Sequence, residues 1–221
     1  MLNSVYDPLG IVAPILINGK ILLREINTSV GWDDTVDIAR WHAWIQSLQS
    51  LKEVRVPRMY FPDSLSLLHE LEMYIFSDAS EKAISAVAYL RIKEDSWSSS
   101  FVMGKAKLAP SHGQTIPRLE LCAALLATQV AQIVQENLRM RIDKVQYFTD
   151  SRVVLGYLNN RTRRFYNYVS YRVTYVSYVS YMSLNQNSGT TFLQRKTLLT
   201  MEHVALQQEV IFNKNGSVDQ N

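Results

Sequence analysis

The chain has 221 residues, of which 47% are hydrophobic and 19% are charged, a composition typical of a globular protein with a buried core. Its single cysteine excludes an internal disulfide framework and a cysteine-rich zinc site, so we expect a reducing compartment, either cytoplasmic or nuclear. The chain also lacks the run of about 18 apolar residues that a transmembrane helix needs, and we therefore expect no membrane partner.

The net charge of +3 is unevenly distributed along the chain. Residues 151–201 contain seven lysines and arginines and no acidic residue. Such a local positive field favours a polyanionic partner, and nucleic acid is the commonest one. A solvated basic face without any partner explains the charge alone equally well.

The N-terminal third reads as helical with an irregular connector. Residues 6–10 (Tyr-Asp-Pro-Leu-Gly) form a turn signal, because proline presets φ and glycine tolerates a positive φ. Helical spacing of apolar residues predicts a helix over residues 20–26 and a second one from about residue 33 to residue 48, in which Trp41 and Trp44 are core residues. Residues 51–70, with two prolines, are expected to be extended.

From residue 71 onwards the spacing of the apolar residues changes from the one typical of helices to the one typical of strands. The pattern predicts three strands, a helix beginning near Pro117, a fourth strand and two further helices, over residues 71–76, 83–92, 101–108, 116–138, 145–148, 153–158 and 163–173. Three meandering strands followed by a helical crossover to a fourth indicate an α/β fold with a mixed sheet flanked by helices.

The C-terminal part has a different character. A Tyr-Val-Ser tripeptide occurs three times within residues 168–180, and its β-branched and aromatic residues favour a β-rich segment. Residues 183–221 are polar with weak periodicity, and we expect poor order there.

Three acidic residues occupy positions where a fold of this kind can bring them together. Asp78 and Asp150 each follow a predicted strand, and Glu120 lies near the start of the helix in a strongly apolar context. A charged glutamate on an apolar face is costly unless it is paired or binds a metal, and hard oxygen ligands suit Mg²⁺ or Mn²⁺. Taken singly, each residue is also explained as a turn, cap or helix-dipole residue.

Several motifs together resemble the Pao/BEL retrotransposon polyprotein, in the region often catalogued as the Pao retrotransposon peptidase family. The similarity covers about residues 4–174 and rests on the runs at residues 6–14, 77–80, 108–110, 115–121, 148–151 and 163–166. The resemblance implies a ribonuclease H-like mixed sheet preceded by a small helical connection segment. It divides the chain into a polymerase-connection-like segment (1–68), a ribonuclease H-like domain (69–176) and a divergent tail (177–221).

The resemblance also implies a function. Asp78, Glu120 and Asp150 correspond to the acidic positions of retroelement ribonuclease H, which uses Mg²⁺ or Mn²⁺ to hydrolyse the RNA strand of an RNA–DNA hybrid. The expected partners are such a hybrid and other parts of a retroelement polyprotein.

The basic stretch supplies candidate contacts to that nucleic acid. Arg152, Arg163 and Arg164 are the candidate phosphate contacts, and Tyr166 is a candidate for stacking on a sugar or base.

The sequence departs from the family in two ways. The family continues into a fifth strand and an Asn-Pro-Ala-Asp motif with a fourth acidic group, whereas this chain has no proline after Pro117. We therefore expect a sheet truncated at its last strand and an enzyme weakened or inactivated by loss of that carboxylate. The chain also lacks the Tyr-x-Asp-Asp motif, so we expect no polymerase activity from these residues.

Two alternatives to the nuclease stay open. The first is a catalytically dead remnant that only binds nucleic acid. The second is an aspartic peptidase, as the family label suggests, although neither Asp78 nor Asp150 lies in the Asp-Thr/Ser-Gly motif that such enzymes need.

Overall fold

The structure, a computed structural model, describes residues 5–29, 31, 39–49, 51, 60, 70–93, 97–110, 115–160, 162, 164–184 and 191–194. The elements in chain order are α1 (Ala13–Ser29), α2 (Ala39–Gln49), β1 (Leu71–Ala79), β2 (Ala83–Lys93), β3 (Trp97–Leu108), α3 (Ile116–Asn137), β4 (Lys144–Thr149), α4 (Arg152–Asn159), α5 (Asn167–Leu184) and β5 (Thr191–Gln194). None of the helices in this part of the chain is long and apolar enough to cross a membrane.

The strands form one mixed sheet in the order β3-β2-β1-β4-β5. β1, β2 and β3 make an antiparallel meander, while β4 runs parallel to β1. A parallel neighbour needs a crossover connection, and α3 supplies it between β3 and β4. The predicted α/β fold with a mixed sheet flanked by helices is therefore confirmed.

The main core lies between one face of this sheet and α3. Met73 and Ile75 of β1 are fully buried, and they pack in the same cluster as Ala123 and Ala127 of α3. Small side chains on that stripe let the helix axis approach the sheet closely. Ala124 belongs to a second cluster, between α3 and α4, because it lies one residue further around the helix than Ala123.

A fifth strand corrects the expectation of a sheet truncated after β4. β5 pairs in parallel with β4, and Thr149 lies opposite Gln194 at the end of the ladder. Only four residues form this strand, and they lie in a polar region, so no alternating pattern marks it in the sequence.

The Tyr-Val-Ser repeats form part of α5, so the expected β-rich segment is wrong. Their β-branched and aromatic residues favour strands by propensity, but the valines recur at helical steps. Val169 and Val173 pack on the second cluster, and Val176 is fully buried. Tertiary packing of this stripe overrides the local preference. The helix runs on to Leu184, so the proposed domain boundary at residue 176 falls inside it.

The N-terminal turn is anchored to the sheet through two glycines. Gly10 has a φ of 75°, as the turn signal predicts, and the carbonyl of Leu9 accepts a hydrogen bond of 2.8 Å from the Gly104 amide of β3. The carboxylate of Asp7 accepts hydrogen bonds of 2.9 and 3.0 Å from the amides of Ile11 and Val12, which precede α1.

The two N-terminal helices also contact each other and the meander. Trp44, which is 5% exposed, donates a hydrogen bond of 2.9 Å from Nε1 to the carbonyl of Ile15, in agreement with its predicted core role. Trp41, which was also predicted in the core, is only half-buried, and its ring centroid lies 4.8 Å from that of Trp44. The Arg24 guanidinium donates to the carbonyls of Ala109 and Lys82 at the end of the β2–β3 hairpin. α1 is thereby fixed beside the strands that carry the candidate site. The predicted start of α2 near residue 33 and most of the connector lie outside the described residues.

The two helices that begin beside the candidate site differ in their caps. The Ser151 side chain accepts a hydrogen bond of 3.3 Å from the Val154 amide, whereas Thr115 makes no side-chain cap bond to α3. Ser151→Ala should therefore lower the free energy of unfolding by about 1 kcal/mol, while Thr115→Ala should change it by a few tenths at most. Urea unfolding of the two variants measures the difference, and equal effects would contradict the assigned cap.

Candidate metal centre

Strand register places two of the three predicted carboxylates at one end of the sheet. Ser77 of β1 lies opposite Thr149 of β4 in the parallel ladder. The residues that follow them, Asp78 near the end of β1 and Asp150 just after β4, therefore lie side by side at the same end of the sheet. Asp78 is half-buried, and its Oδ1 accepts a hydrogen bond of 2.8 Å from the amide of Ala79. Asp150 follows β4 directly and is exposed. One carboxylate is therefore held within the sheet and the other faces solvent.

The third carboxylate arrives from α3. Glu120 is the fifth residue of that helix and is only 9% exposed. Its neighbours Leu119 and Leu121 are buried, so the packing of α3 on the sheet fixes where the Glu120 side chain lies. The Oε2 atom of Glu120 is buried and has no hydrogen-bond partner.

One carboxylate oxygen from each of Asp78, Glu120 and Asp150 lies within 4.8 Å of the others. Burial, reinforced by the negative charges of Asp150 and then Asp78, raises the pKa of Glu120 from 4.5 to about 7. Three carboxylates this close repel one another, and a divalent cation removes that repulsion. The cluster predicted from the sequence is thus assembled in the structure.

The donor set fits Mg²⁺ or Mn²⁺. Both ions prefer carboxylate oxygens, and one buried oxygen of this cluster has no other partner. A hydrophobic residue at position 120 would fit the apolar surroundings without the cost of burying a charge, so the unpartnered carboxylate oxygen is suited to bind a cation.

A cleft of about 290 Å³ opens beside the carboxylates. Asp78 and Asp150 lie on its rim, and its apolar walls come from α1 and from the sheet, where the rings of Phe76 and Phe148 stack with centroids 4.8 Å apart. The sequence had given no role to these two phenylalanines; their position just before the two aspartate segments was the available signal. The cleft therefore borders Asp78 and Asp150 on the side of α1.

The predicted nucleic-acid residues follow Asp150 along the chain. Arg152 is exposed in the first turn of α4, and Arg164 and Tyr166 are exposed before α5, Tyr166 to 89%. Arg163 lies outside the described residues. These side chains are accessible, and their role remains a prediction.

No curated protein matches the sequence. Among solved structures, the chain is similar to RNase H1 from Halobacterium salinarum, with 12% identity, a TM-score of 0.39 and coverage of 66% of this chain and 98% of that chain. It is similar to the N-terminal RNase H domain of a Mycobacterium tuberculosis protein, with 9% identity, a TM-score of 0.41 and coverage of 66% and 98%. A third similarity is to the foamy viral protease-reverse transcriptase, with 14% identity, a TM-score of 0.42 and coverage of 89% of this chain and 34% of that chain.

A family model described as the Pao retrotransposon-like RNaseH-like domain matches residues 1–151. The matched range contains the N-terminal turn, the meander, α3 and all three clustered carboxylates, and it confirms both the resemblance and the ribonuclease H-like fold expected from it. This chain belongs to the family of Pao retrotransposon-like RNaseH-like domains.

Proposed function

We propose that this domain hydrolyses the RNA strand of an RNA–DNA hybrid with the help of Mg²⁺ or Mn²⁺ bound by Asp78, Glu120 and Asp150. The observation that carries the proposal is the convergence of three carboxylates from two strand ends and a helix within 4.8 Å, with one buried oxygen unpartnered. A purely structural role does not require three mutually repelling carboxylates, one of them buried, because this arrangement destabilises the fold.

Each of the three residues contributes differently to such a site. A divalent cation held there supplies Lewis-acid activation of water and stabilises charge on the departing oxygen. Glu120 is fixed by the α3–sheet core, so it holds its ligand oxygen in one place without help from solvent. Asp78 is positioned by its hydrogen bond to the Ala79 amide. Asp150 is exposed, and it therefore lies on the side from which a phosphodiester approaches.

The proposed substrate is supported by the charge of the chain around this site. Arg152, two residues after Asp150, and Arg164 are exposed, and the stretch of residues 151–201 to which they belong contains no carboxylate. Guanidinium groups suit phosphate oxygens, and Tyr166 is exposed enough to stack on a base or sugar. Other parts of a retroelement polyprotein are proposed as further partners, and the cytoplasm or nucleus as the site of action.

A catalytically dead nucleic-acid-binding remnant is the second candidate. The cluster contains three carboxylates among the residues that the structure describes, whereas the sequence of the family leads us to expect four. If the lack of a fourth carboxylate weakens the binding of a second divalent cation, the domain binds nucleic acid without cleaving it.

A hybrid-cleavage assay with Mg²⁺ or Mn²⁺ tests the proposal. Wild-type protein should release RNA fragments only when the cation is present, and Asp78→Asn and Asp150→Asn should each lower the rate by about 100-fold or more, because each removes a metal ligand. Glu136→Gln is a matched control, since that carboxylate lies on the same helix as Glu120 but is exposed and far along it.

Three results would contradict the nuclease. Hybrid binding without metal-dependent cleavage would favour the remnant. Pepstatin-sensitive proteolysis lost in both aspartate variants would favour the aspartic peptidase. Equal cleavage by wild type and Asp78→Asn would show that a contaminating nuclease or another site is responsible.

A further inference from the structure

One arginine of α1 joins that helix to the ends of two strands of the meander. The guanidinium of Arg24 donates hydrogen bonds to two backbone carbonyls, from Nη1 to Ala109 and from Nη2, at 2.9 Å, to Lys82. Lys82 lies in the turn between β1 and β2, and Ala109 directly follows β3. The Ala109 amide donates to the same Lys82 carbonyl at 2.9 Å. The three residues therefore form a closed set of hydrogen bonds.

The first of these carbonyls belongs to the turn that follows Asp78. Lys82 is four residues after Asp78, and the turn is closed by a hydrogen bond of 2.8 Å from the Ser80 amide to the carbonyl of Ala83. Ser80 Oγ also accepts hydrogen bonds from the amides of Lys82 and Ala83, at 3.3 and 3.1 Å. Ser80 and Ala83 line the same cleft that Asp78 borders. Arg24 thus holds a turn that forms part of the wall beside a predicted metal ligand.

The second carbonyl lies where the chain leaves β3 towards the helix of Glu120. Ala109 is only 2% exposed, and it lies between β3 and α3 in the chain. The fork of the Arg24 guanidinium spans both carbonyls at once, which the single ammonium of a lysine cannot do. One side chain is therefore tied to the segments that come after Asp78 and before Glu120.

A neighbouring ion pair on α1 contacts the same turn more weakly. Glu25 Oε1 lies 2.8 Å from Lys82 Nζ, and Glu25 Oε2 lies 3.0 Å from Arg40 Nη2. The Lys82 and Arg40 side chains are 61% and 65% exposed, and ion pairs of this kind contribute little to stability. The hydrogen bonds of Arg24 to the backbone are thus the main connection between α1 and the turn.

We infer that Arg24 is a positioning residue of the metal centre, which acts through the turn after Asp78. The inference rests on the proposed function in that the positioned ligands are those of the proposed cation. Without Arg24, the turn adopts additional conformations, and fewer molecules hold the carboxylates in ligand geometry. The apparent Kd for the cation rises as that fraction falls. Mg²⁺ requires nearly ideal octahedral geometry, whereas Ca²⁺ accepts irregular coordination, so Mg²⁺ should be affected more.

Thermal unfolding of the full chain at increasing Mg²⁺ or Ca²⁺ concentration tests this inference without depending on cleavage. The rise of Tm with cation concentration gives an apparent Kd for each ion. Arg24→Gln should raise the apparent Kd for Mg²⁺ by about tenfold and that for Ca²⁺ by about threefold at most, because both charge-assisted hydrogen bonds are lost. Arg24→Lys can retain one of the two bonds and should give intermediate values.

Arg40→Gln is the matched control. Arg40 is also a basic residue near α1 and pairs with Glu25, the neighbour of Arg24 in the chain. Its ion pair is on the carboxylate of Glu25 and not on the backbone of the turn. Loss of Arg40 should therefore leave the apparent Kd of both cations unchanged.

A lower Tm for Arg24→Gln and Arg24→Lys, with the wild-type apparent Kd for both cations, overturns the inference and leaves a purely structural contact. An equal rise for Mg²⁺ and Ca²⁺ also overturns it, because ligand geometry is then not what Arg24 controls. If wild type cleaves the hybrid in either case, the proposed nuclease stands. A selective loss of Mg²⁺ affinity in a protein that cleaves no hybrid supports the positioning role and contradicts the nuclease. A wild type that binds neither cation contradicts both.

Discussion

Glu120→Gln is expected to stabilise the metal-free protein at about pH 8 by about 3 kcal/mol. In the folded protein the pKa of Glu120 is raised from 4.5 to about 7 by burial and by the charges of Asp150 and Asp78. The unfolded chain loses this proton near its ordinary pKa, so above pH 7 the folded state holds a buried charge that it disfavours. Glutamine removes that charge while keeping the shape of the side chain.

The raised pKa of Glu120 also determines how the free energy of unfolding depends on pH. Between pH 4.5 and about pH 7 the folded state binds more protons at Glu120 than the unfolded state does, so stability falls as the pH rises. The contribution is fully present below pH 4.5 and lost above pH 7. Urea unfolding of wild type and Glu120→Gln at about pH 5 and about pH 8, both in a chelator, should show the gap only at the higher pH.

Mg²⁺ or Mn²⁺ should reverse this order. The cation binds the folded wild type through Glu120 and adds stability by mass action, whereas the glutamine variant has lost a charged ligand. Glu136→Gln, on the exposed end of α3, should show neither effect. If the free energy of unfolding of the wild type changes neither with pH nor with added cation, the assigned metal centre is contradicted.

Gly10→Ala is expected to lower the free energy of unfolding by about 3 kcal/mol or more, because alanine at this position causes both backbone strain and a steric clash. At a φ of 75° an L-residue is strained by about 1–2 kcal/mol. A Cβ at position 10 would also lie 1.9 Å from the carbonyl oxygen of Gly104, which is backbone and cannot rotate away. The N-terminal turn must then separate from β3 and lose the hydrogen bond between Leu9 and Gly104.

Thermal unfolding and limited proteolysis measure this effect. Gly10→Ala should lower Tm by several degrees and expose residues 5–29 to protease, since α1 depends on the turn for its position. Gly156→Ala is the matched control, because a Cβ there meets nothing within 4 Å in the middle of α4. It should raise stability by up to about 1 kcal/mol. Equal behaviour of the two variants would contradict the close approach of Gly10 and Gly104.

Much of the fold could be predicted because the apolar residues recur at regular spacings within each element. The meander, α3 and β4 alternate between a two-residue and a 3.6-residue apolar repeat, and the order of these elements restricts the sheet to few arrangements. The turn at Gly10 carried its own signal, since few residues other than glycine adopt a positive φ. Errors occurred where local preference and packing disagreed: the Tyr-Val-Ser repeats favour strands, yet Val169, Val173 and Val176 pack as a helical stripe.

The amino-acid sequence by itself determined the identity of the three acidic residues and the elements that carry them. Only the tertiary structure decided that they converge, because the parallel register of Ser77 with Thr149 and the packing of α3 set the separation of at most 4.8 Å. The contact of the Arg118 guanidinium with the ring of Tyr168, fifty residues later, could not be predicted from the sequence either. Side-chain neighbours on different elements depend on register and helix rotation, and both are fixed by the assembled core.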